Sequence, residues 1–264
     1  MSAIDFHTHA FPDEIAKRAM AKLQAAGDVP AYGDGTIKDL LRSMDQADLD
    51  ISVVCPIATK PDQAAGILKW CRKIHSDRIE PFPSVHPDDP QAAKWVARFA
   101  EEGFAGIKLH PQYQAFEADE PRMDPIYAAA AEHDVVITSH CGLDLAYPDT
   151  NDNASPVRFA KVIERFPTLR LICTHMGGWR SWELVELHIL GKPIWLETSF
   201  SLDELGPQRS ADMIRRHGAD RVVFGTDWPW KPQDKELALF NALPLDAKEK
   251  RNILWGNAAR TLGY

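Results

Sequence analysis

Residues 4–12 read IDFHTHAFP, an apolar, strand-like run with two histidines, His7 and His9, at its carboxyl end. In a strand, residues i and i+2 point to the same side, so both imidazoles can reach one point while Thr8 faces the other way. Neutral imidazole nitrogens are good ligands for zinc and similar ions. Taken alone, this pair is equally compatible with two half-buried histidines that hydrogen-bond the backbone.

Seven further short apolar runs follow, and longer stretches with helical periodicity lie between them. The predicted strands are Ala3–His9, Ile51–Pro56, Ile79–Val85, Gly106–His110, Val135–His140, Leu169–His175, Ile194–Thr198 and Arg221–Asp227. The predicted helices include Thr36–Asp48, Pro61–His75, Gln91–Glu102, Pro125–His133, Pro156–Phe166, Ser210–His217 and Ala247–Leu262. This alternation indicates a parallel sheet covered by helices, either open or closed.

Polar and titratable side chains recur at the carboxyl ends of these runs. Beyond the first strand they are Lys108, His110, His140, His175, Glu197, Thr198 and Asp227. In a closed barrel all these ends meet in one mouth, which is where the active sites of that fold lie. In an open sheet the first and last strands would be far apart. We therefore predict a single-domain (β/α)8 TIM barrel over residues 1–264.

Composition narrows the classes of partner. The 264 residues carry a formal charge of −8 and no run of basic residues, which argues against nucleic-acid binding. No stretch reaches the roughly 18 apolar residues of a membrane span, and no signal peptide is visible. Four scattered cysteines without a Cys-x-x-Cys pair fit reduced thiols. We expect a cytoplasmic enzyme that acts on a small molecule, and a homodimer is compatible with this.

Three later residues extend the opening histidine pair. His140 in ITSHCG and His175 in ICTHMGG each follow an apolar run and precede glycine. Asp227 in VVFGTDWPW is a carboxylate directly after a buried run, which is costly unless the group is paired or bound to a metal. Its plainer interpretation is a helix N-cap or a salt bridge, but Pro229 disfavours a helix starting there. We favour a metal-binding or catalytic role.

In this order, IDFHTHAFP, GIKLHP, ITSHCG, ICTHMGG and FGTDWPW resemble the amidohydrolase-related family of the amidohydrolase superfamily. The C-terminal ILWGNAARTLG is similar to that family's closing helix, so the resemblance spans essentially the whole chain. It implies a (β/α)8 barrel with one catalytic divalent metal, usually zinc. It also implies a set of roles, with metal ligands His7, His9, His140 and Asp227 and an acid/base His175.

Lys108 in GIKLHP has two interpretations. In two-metal relatives a lysine on the fourth strand is carbamylated and bridges the ions, and Lys108 lies at about that place. The plainer interpretation is a protonated lysine that binds a substrate carboxylate or pairs with Glu197 or Asp227. We favour the plainer interpretation and one metal ion.

Further residues are expected to contact the substrate. His110 either lines the pocket or begins the turn at Pro111. Trp179 and Trp228 lie in predicted strand-to-helix loops, where aromatic rings suit a planar substrate, and Arg180 could hold an acidic group.

The leading functional hypothesis is hydrolysis of a small cyclic amide, ester or lactone by a metal-activated water, with Asp227 or His175 moving the proton. The alternative is non-oxidative decarboxylation of an aromatic or unsaturated acid, an activity that the same family includes. Decarboxylases of the family generally carry longer insertions and lack the Lys108 motif, which favours the hydrolase. A third hypothesis, a non-catalytic metal-binding protein, predicts a broken ligand set, and none of the ligands is missing.

Overall fold

The computed structural model describes residues 2–264 and contains eight short parallel strands, numbered in chain order. They are β1 Ile4–Thr8, β2 Ile51–Val54, β3 Ile79–Pro81, β4 Gly106–Leu109, β5 Val136–Ser139, β6 Leu171–Cys173, β7 Trp195–Glu197 and β8 Val222–Val223. Each predicted strand is present and ends earlier than predicted. The side chains at the predicted strand ends therefore lie mostly in the loops just beyond the sheet.

Backbone hydrogen bonds close these strands into a barrel. Strands β1 to β3 form one ladder and β4 to β8 form another, with consecutive strands adjacent in both. The amide of Lys108 donates to the carbonyl of Pro83 at 2.8 Å and joins β4 to the end of β3. The amide of Phe6 donates to the carbonyl of Phe224 at 2.8 Å and joins β1 to the end of β8. The architecture is a (β/α)8 barrel, as predicted.

In residues 2–264, eleven α-helices connect the strands and cover the barrel. They are α1 Asp13–Gly27, α2 Ile37–Ala47, α3 Ala64–Ile74, α4 Ala92–Glu101, α5 Asp124–Glu132, α6 Pro156–Arg165, α7 Trp182–His188, α8 Leu202–His217, α9 Gln233–Asn241, α10 Ala247–Arg251 and α11 Asn257–Leu262. None of these helices in residues 2–264 is long and apolar enough to cross a membrane.

The sequence pattern predicted some helices only in part. Helix α8 contains a non-helical residue, Gly206, followed by Pro207, which is why only its second half reads as a regular helix. Helix α9 buries Gln233 and Glu236 beside Phe240, so its inner face lacks the apolar stripe that indicates a helix in sequence. Because its buried face carries polar residues, helix α9 was not predicted from the sequence.

Helices α2 and α6 begin in different ways. The hydroxyl of Thr36 accepts a hydrogen bond from the amide of Asp39 at 3.2 Å, so Thr36 is a true cap of α2. Ser155 precedes Pro156 at the start of α6, but its side chain makes no capping hydrogen bond. Helix α6 therefore begins on the fixed φ of proline without a side-chain cap.

The C-terminal helix α11 packs against the barrel rather than the active-site loops. Its Ala258 and Ala259 share an apolar cluster with Ile4 and Phe6 of β1 and Val223 of β8. All five residues are buried. This packing covers the seam where the first and last strands meet, so it stabilises barrel closure.

His217 at the end of α8 links stability to pH. Its Nε2 lies 2.8 Å from the carbonyl oxygen of Ile194, its Nδ1 accepts from the amide of Gly191, and burial lowers its pKa from 6.5 to about 4. Because the folded-state pKa is below the unfolded one, its contribution is fully present above pH 6.5 and falls as the pH drops towards 4. We expect His217→Gln to reduce the slope of unfolding free energy against pH in this window by up to about 1.4 kcal/mol per unit. Urea unfolding at pH 7.5, 6 and 5 measures both slopes, and parallel curves would contradict the assignment.

Candidate active site

His7 and His9 lie at the end of β1. In each ring of the histidine cluster, we call the nitrogen that faces away from the centre of the cluster the outer nitrogen, and in His7 and His9 an oxygen acceptor lies next to it. His7 Nδ1 lies 3.1 Å from Glu197 Oε2, and His9 Nδ1 lies 2.9 Å from the carbonyl oxygen of Cys55. Because carboxylate and carbonyl oxygens only accept, we assign a proton to each Nδ1 and a lone pair to each Nε2. Both Nε2 atoms approach the same oxygen, Asp227 Oδ1, at 3.5 Å for His7 and 3.0 Å for His9.

Asp227 follows β8 and is held against the end of β1. Its amide donates to the carbonyl of His7 at 2.8 Å, and its own backbone is left-handed with φ 63°. Within residues 2–264, its buried Oδ1 has no hydrogen-bond partner. An unpaired carboxylate oxygen that faces two imidazole lone pairs is unfavourable unless a cation joins them. The donor set therefore fits a divalent metal ion.

His140 and His175 form the other half of this cluster. His140 Nε2 lies 2.9 Å from the carbonyl oxygen of Leu143, and His175 Nδ1 lies 3.2 Å from the carbonyl oxygen of Ser199. Their inner nitrogens, His140 Nδ1 and His175 Nε2, are 3.0 Å apart. With the outer nitrogens used as donors, two inner lone pairs face each other, an arrangement that a proton or a cation would relieve.

A close crossing of two loops brings His140 and His175 together. Gly142 after β5 and Trp179 after β6 pair in parallel, and the amide of Trp179 donates to the carbonyl of Cys141 at 2.9 Å. Gly142 has φ 96°, and a Cβ there would lie 2.2 Å from the Trp179 amide nitrogen. Glycine is therefore required at this crossing on two grounds, backbone conformation and space.

Burial sets the protonation of the histidines. It lowers the pKa of His7, His140 and His175 well below 6.5, and neighbouring cationic groups act in the same direction. These imidazoles are therefore neutral near pH 7, the form that binds metal ions. Burial also raises the pKa of Glu197 to about 8, opposed by hydrogen bonds from Ser199. A cation at the inner nitrogens would favour the ionised carboxylate.

Lys108 on β4 is fully buried beside His7, and its Nζ lies 2.8 Å from His7 Nε2. Burial lowers its pKa below the ordinary value of 10.5. In residues 2–264 no ion pair within 4 Å joins Lys108 to Glu197 or Asp227, although both carboxylates lie close enough to oppose the lowering of its pKa, and Glu197 pairs with His7. Whether Lys108 carries a carbamate stays a prediction.

One pocket opens onto this cluster, and aromatic side chains form much of its wall. Lining aromatic residues are Phe11, Tyr113, Trp179, Phe200 and Trp230. His110 also lines it, stacked on His140 with ring centroids 4.2 Å apart and planes 9° apart. Trp179 and His110 thus lie where substrate contact was predicted, and their role stays a prediction.

Two residues predicted to bind substrate do not line the pocket. Arg180 is exposed, pairs with Glu204 through Nε at 3.0 Å, and stacks over Trp179 with its guanidinium 4.2 Å from the ring. Trp228 is fully buried beside Gly33, where an added Cβ would lie 2.3 Å from its ring. These predictions are wrong because a position in a strand-to-helix loop does not fix the direction of the side chain.

Three functional positions were missed or misread in the sequence. Glu197 and Ser199 hold the outer nitrogens of His7 and His175, with Ser199 Oγ donating to Glu197 Oε2 at 2.8 Å. Glu197 stands out at a strand end, but nothing in the sequence names its partner. Asp144 lines the pocket and lies in a loop without a motif.

Replacing Gly142 with alanine tests the loop crossing. We expect Gly142→Ala to separate the loops that carry His140 and His175 and to weaken metal binding at least tenfold, since misplaced ligands lose affinity on that scale. Calorimetric titration with Mn²⁺ measures this, with circular dichroism to verify folding. Gly191→Ala is the matched control, because it shares a positive φ but has no atom within 4 Å of an added Cβ. Equal affinities in both variants would refute the role of the crossing.

The family model described as Amidohydrolase matches residues 4–264. The chain belongs to the amidohydrolase family. It is therefore an enzyme of the amidohydrolase superfamily, and the resemblance in its strand-end motifs is confirmed.

Two curated relatives of this amidohydrolase-family enzyme are decarboxylases. Gamma-resorcylate decarboxylase of Polaromonas sp. is 26% identical over 116 residues, or 37% of this chain. That match spans only 35% of the relative's length. Decarboxylase orsB of Emericella nidulans is 22% identical over 275 aligned residues, which cover 83% of this chain and 80% of the relative.

Solved structures show the same fold. A 2,6-dihydroxybenzoate decarboxylase complexed with 2,6-dihydroxybenzoate has a TM-score of 0.77 at 19% identity and covers 100% of both chains. The 5-carboxyvanillate decarboxylase of Novosphingobium aromaticivorans, complexed with manganese and 4-hydroxy-3-methoxy-5-nitrobenzoic acid, has a TM-score of 0.75 at 17% identity. This second match covers 99% of the present chain and 96% of that one.

The hydrolase hypothesis is wrong, since both of these curated relatives and both of these solved structures are decarboxylases. The expectation of longer insertions does not exclude a decarboxylase, because a decarboxylase structure aligns over 100% of both chains. The ligand pattern could not separate the two reactions, because the same set was expected for both.

Proposed function

We propose that this enzyme is a metal-dependent, non-oxidative decarboxylase of an aromatic carboxylic acid. One observation carries the proposal: a pocket walled by aromatic rings reaches the unpaired Asp227 Oδ1, in a chain whose relatives are decarboxylases. The wall suits a planar ring, and the cluster beneath it suits an acid group.

Four residues would hold one divalent ion: His7 and His9 through Nε2, His140 through Nδ1, and Asp227 through Oδ1. When bound, the ion supplies positive charge that attracts the substrate carboxylate and stabilises negative charge developing near it. Manganese is the first ion to test, because it is bound in the carboxyvanillate decarboxylase. Zinc remains the alternative that the sequence resemblance implies.

Decarboxylation requires a proton at the ring carbon that bears the carboxylate. The proton adds to that carbon, the bond to the carboxyl carbon breaks, its electron pair restores the ring, and CO₂ leaves. His175 is our first candidate for the donor, because its Nε2 faces the cluster. The ring is neutral near pH 7 before substrate binds, so we propose that the bound substrate carboxylate raises its pKa and that Nε2 then takes up the proton it delivers. Ser199 provides two acceptors at Nδ1, its carbonyl oxygen at 3.2 Å and its Oγ at 3.0 Å, and these stabilise the protonated imidazole.

Lys108 and Asp227 complete the proposed chemistry. The Lys108 ammonium lies at the cluster and can attract the carboxylate of the substrate. Asp227 is the second candidate for the proton donor, through the carboxyl oxygen that would not hold the ion. The aromatic wall limits water at the reacting carbon.

Substitution separates the metal-binding role from the proton-donating role. We expect His175→Gln to lower kcat by roughly 10²- to 10⁴-fold, the usual contribution of a positioned acid, while metal content stays near that of the parent. Asp227→Asn should lower both metal content and activity. The assay follows CO₂ released from a panel of hydroxybenzoates by the manganese-loaded enzyme, with elemental analysis for metal.

His133→Gln serves as the control, because His133 is exposed on the outside of the barrel. It should leave both readouts unchanged. If the manganese-loaded enzyme releases no CO₂ from any hydroxybenzoate, benzoate or unsaturated acid tested, the proposed function is wrong. Full activity in His175→Gln would transfer the donor role to Asp227.

A further inference from the structure

Asp144 is a pocket-lining carboxylate that the proposed reaction does not use. Its Oδ1 accepts from the amide of Ala146 at 2.8 Å, and its Oδ2 lies 3.3 Å from His110 Nε2. A carboxylate offers about four acceptor positions, so about two remain free. In residues 2–264, no lysine or arginine nitrogen lies within 4 Å of it. Its side chain is 13% exposed and lines the pocket.

The position of Asp144 relative to the reacting centre is fixed. His110, whose Nε2 lies 3.3 Å from Asp144 Oδ2, stacks on His140 at 4.2 Å between ring centroids. One oxygen of Asp144 and one nitrogen each of His110 and His140 lie within 4.8 Å of one another. If the acid group of a bound aromatic substrate lies at the histidine cluster, the other substituents on the substrate ring are close enough to contact Asp144.

The wall of the pocket carries more acidic side chains than basic ones. Lys108 is the only lysine or arginine among the lining residues described, whereas Asp144 and Asp227 are both carboxylates. Lys108 and the proposed metal site account for one substrate carboxylate. A second carboxylate near Asp144 would meet a like charge, which is strongly unfavourable where solvent is limited.

A second metal ion at His110, His140 and Asp144 is the competing use of these groups. It is disfavoured because His110 Nδ1 accepts from the amide of Tyr113, which places the ring proton on Nε2 towards Asp144, and because the free nitrogen of His140, Nδ1, is already assigned to the first ion. His110 Nε2 faces Asp144, and His140 Nε2 faces the carbonyl of Leu143. His110 Nδ1 lies 3.4 Å from the amide of Tyr113.

We propose that Asp144 is a specificity-determining residue that selects aromatic monocarboxylates bearing a ring hydroxyl and rejects those bearing a second ring carboxylate. The hydroxyl donates to the free acceptor positions of Asp144. This inference rests on the proposed function for the placement of the acid group at the histidine cluster, but it concerns binding and not turnover.

Two variants separate hydrogen bonding from charge. Asp144→Asn keeps an acceptor oxygen and removes the negative charge, whereas Asp144→Ala removes both. The probes are benzoate, 2-hydroxybenzoate and isophthalate, and binding to the manganese-loaded protein is read from quenching of tryptophan fluorescence, because Trp179 and Trp230 line the pocket. Asp149→Asn is the control, an exposed carboxyl in the same loop that does not line the pocket.

We expect the parent protein to bind 2-hydroxybenzoate about tenfold or more tightly than benzoate, the usual effect of a hydrogen bond to a charged group. Asp144→Ala should abolish this preference. Asp144→Asn should keep part of it and bind isophthalate roughly tenfold more tightly than the parent does. The control should match the parent with all three probes.

The inference is overturned if Asp144→Ala retains the hydroxyl preference or if Asp144→Asn binds isophthalate no better than the parent. Loss of one metal equivalent in Asp144→Ala, measured by elemental analysis, would also overturn it in favour of a second metal ion. The expected binding pattern without CO₂ release would support this inference while rejecting the proposed decarboxylation.

Discussion

The site depends on one constraint: the outer nitrogen of each ring in the histidine cluster faces an oxygen acceptor. Glu197 serves His7, and the carbonyls of Cys55, Leu143 and Ser199 serve His9, His140 and His175. A ring that donates outward turns a lone pair inward. The inward lone pairs and the unpaired Asp227 Oδ1 give the donor set that we propose holds a metal ion, and Lys108 Nζ, 2.8 Å from His7 Nε2, is the neighbouring positive charge.

The barrel supplies this constraint because its closure places the first strand, β1, beside the last strand, β8. The amide of His9 donates to the carbonyl of Trp228 at 2.6 Å, so β1 and the segment after β8 present their ligands as one unit. His175 and Asp227 have left-handed backbones, with φ 59° and 63°. Such strain at non-glycine residues is typical of functional sites, and the packed barrel around them holds it.

Most of the fold and the centre of the site could be predicted from the sequence, because strand ends are marked by short motifs. His7, His140 and Asp227 follow apolar runs, and a barrel brings such ends together. The direction of loop side chains could not be predicted, which is why Arg180 and Trp228 were wrongly assigned and Asp144 was missed. The reaction was also misjudged, since one ligand set serves both hydrolysis and decarboxylation, and loop residues such as Asp144 choose the substrate.

Nitrogen-15 NMR of the histidine rings in the metal-free protein at pH 9, where Glu197 with its pKa of about 8 is ionised, tests the central constraint most directly. Long-range proton–nitrogen correlations show which ring nitrogen carries the proton. The geometry predicts the proton on Nδ1 for His7 and His9 and on Nε2 for His140. A proton on Nε2 of His7 or His9 would contradict the account, because those atoms could not then turn a lone pair towards Asp227 Oδ1.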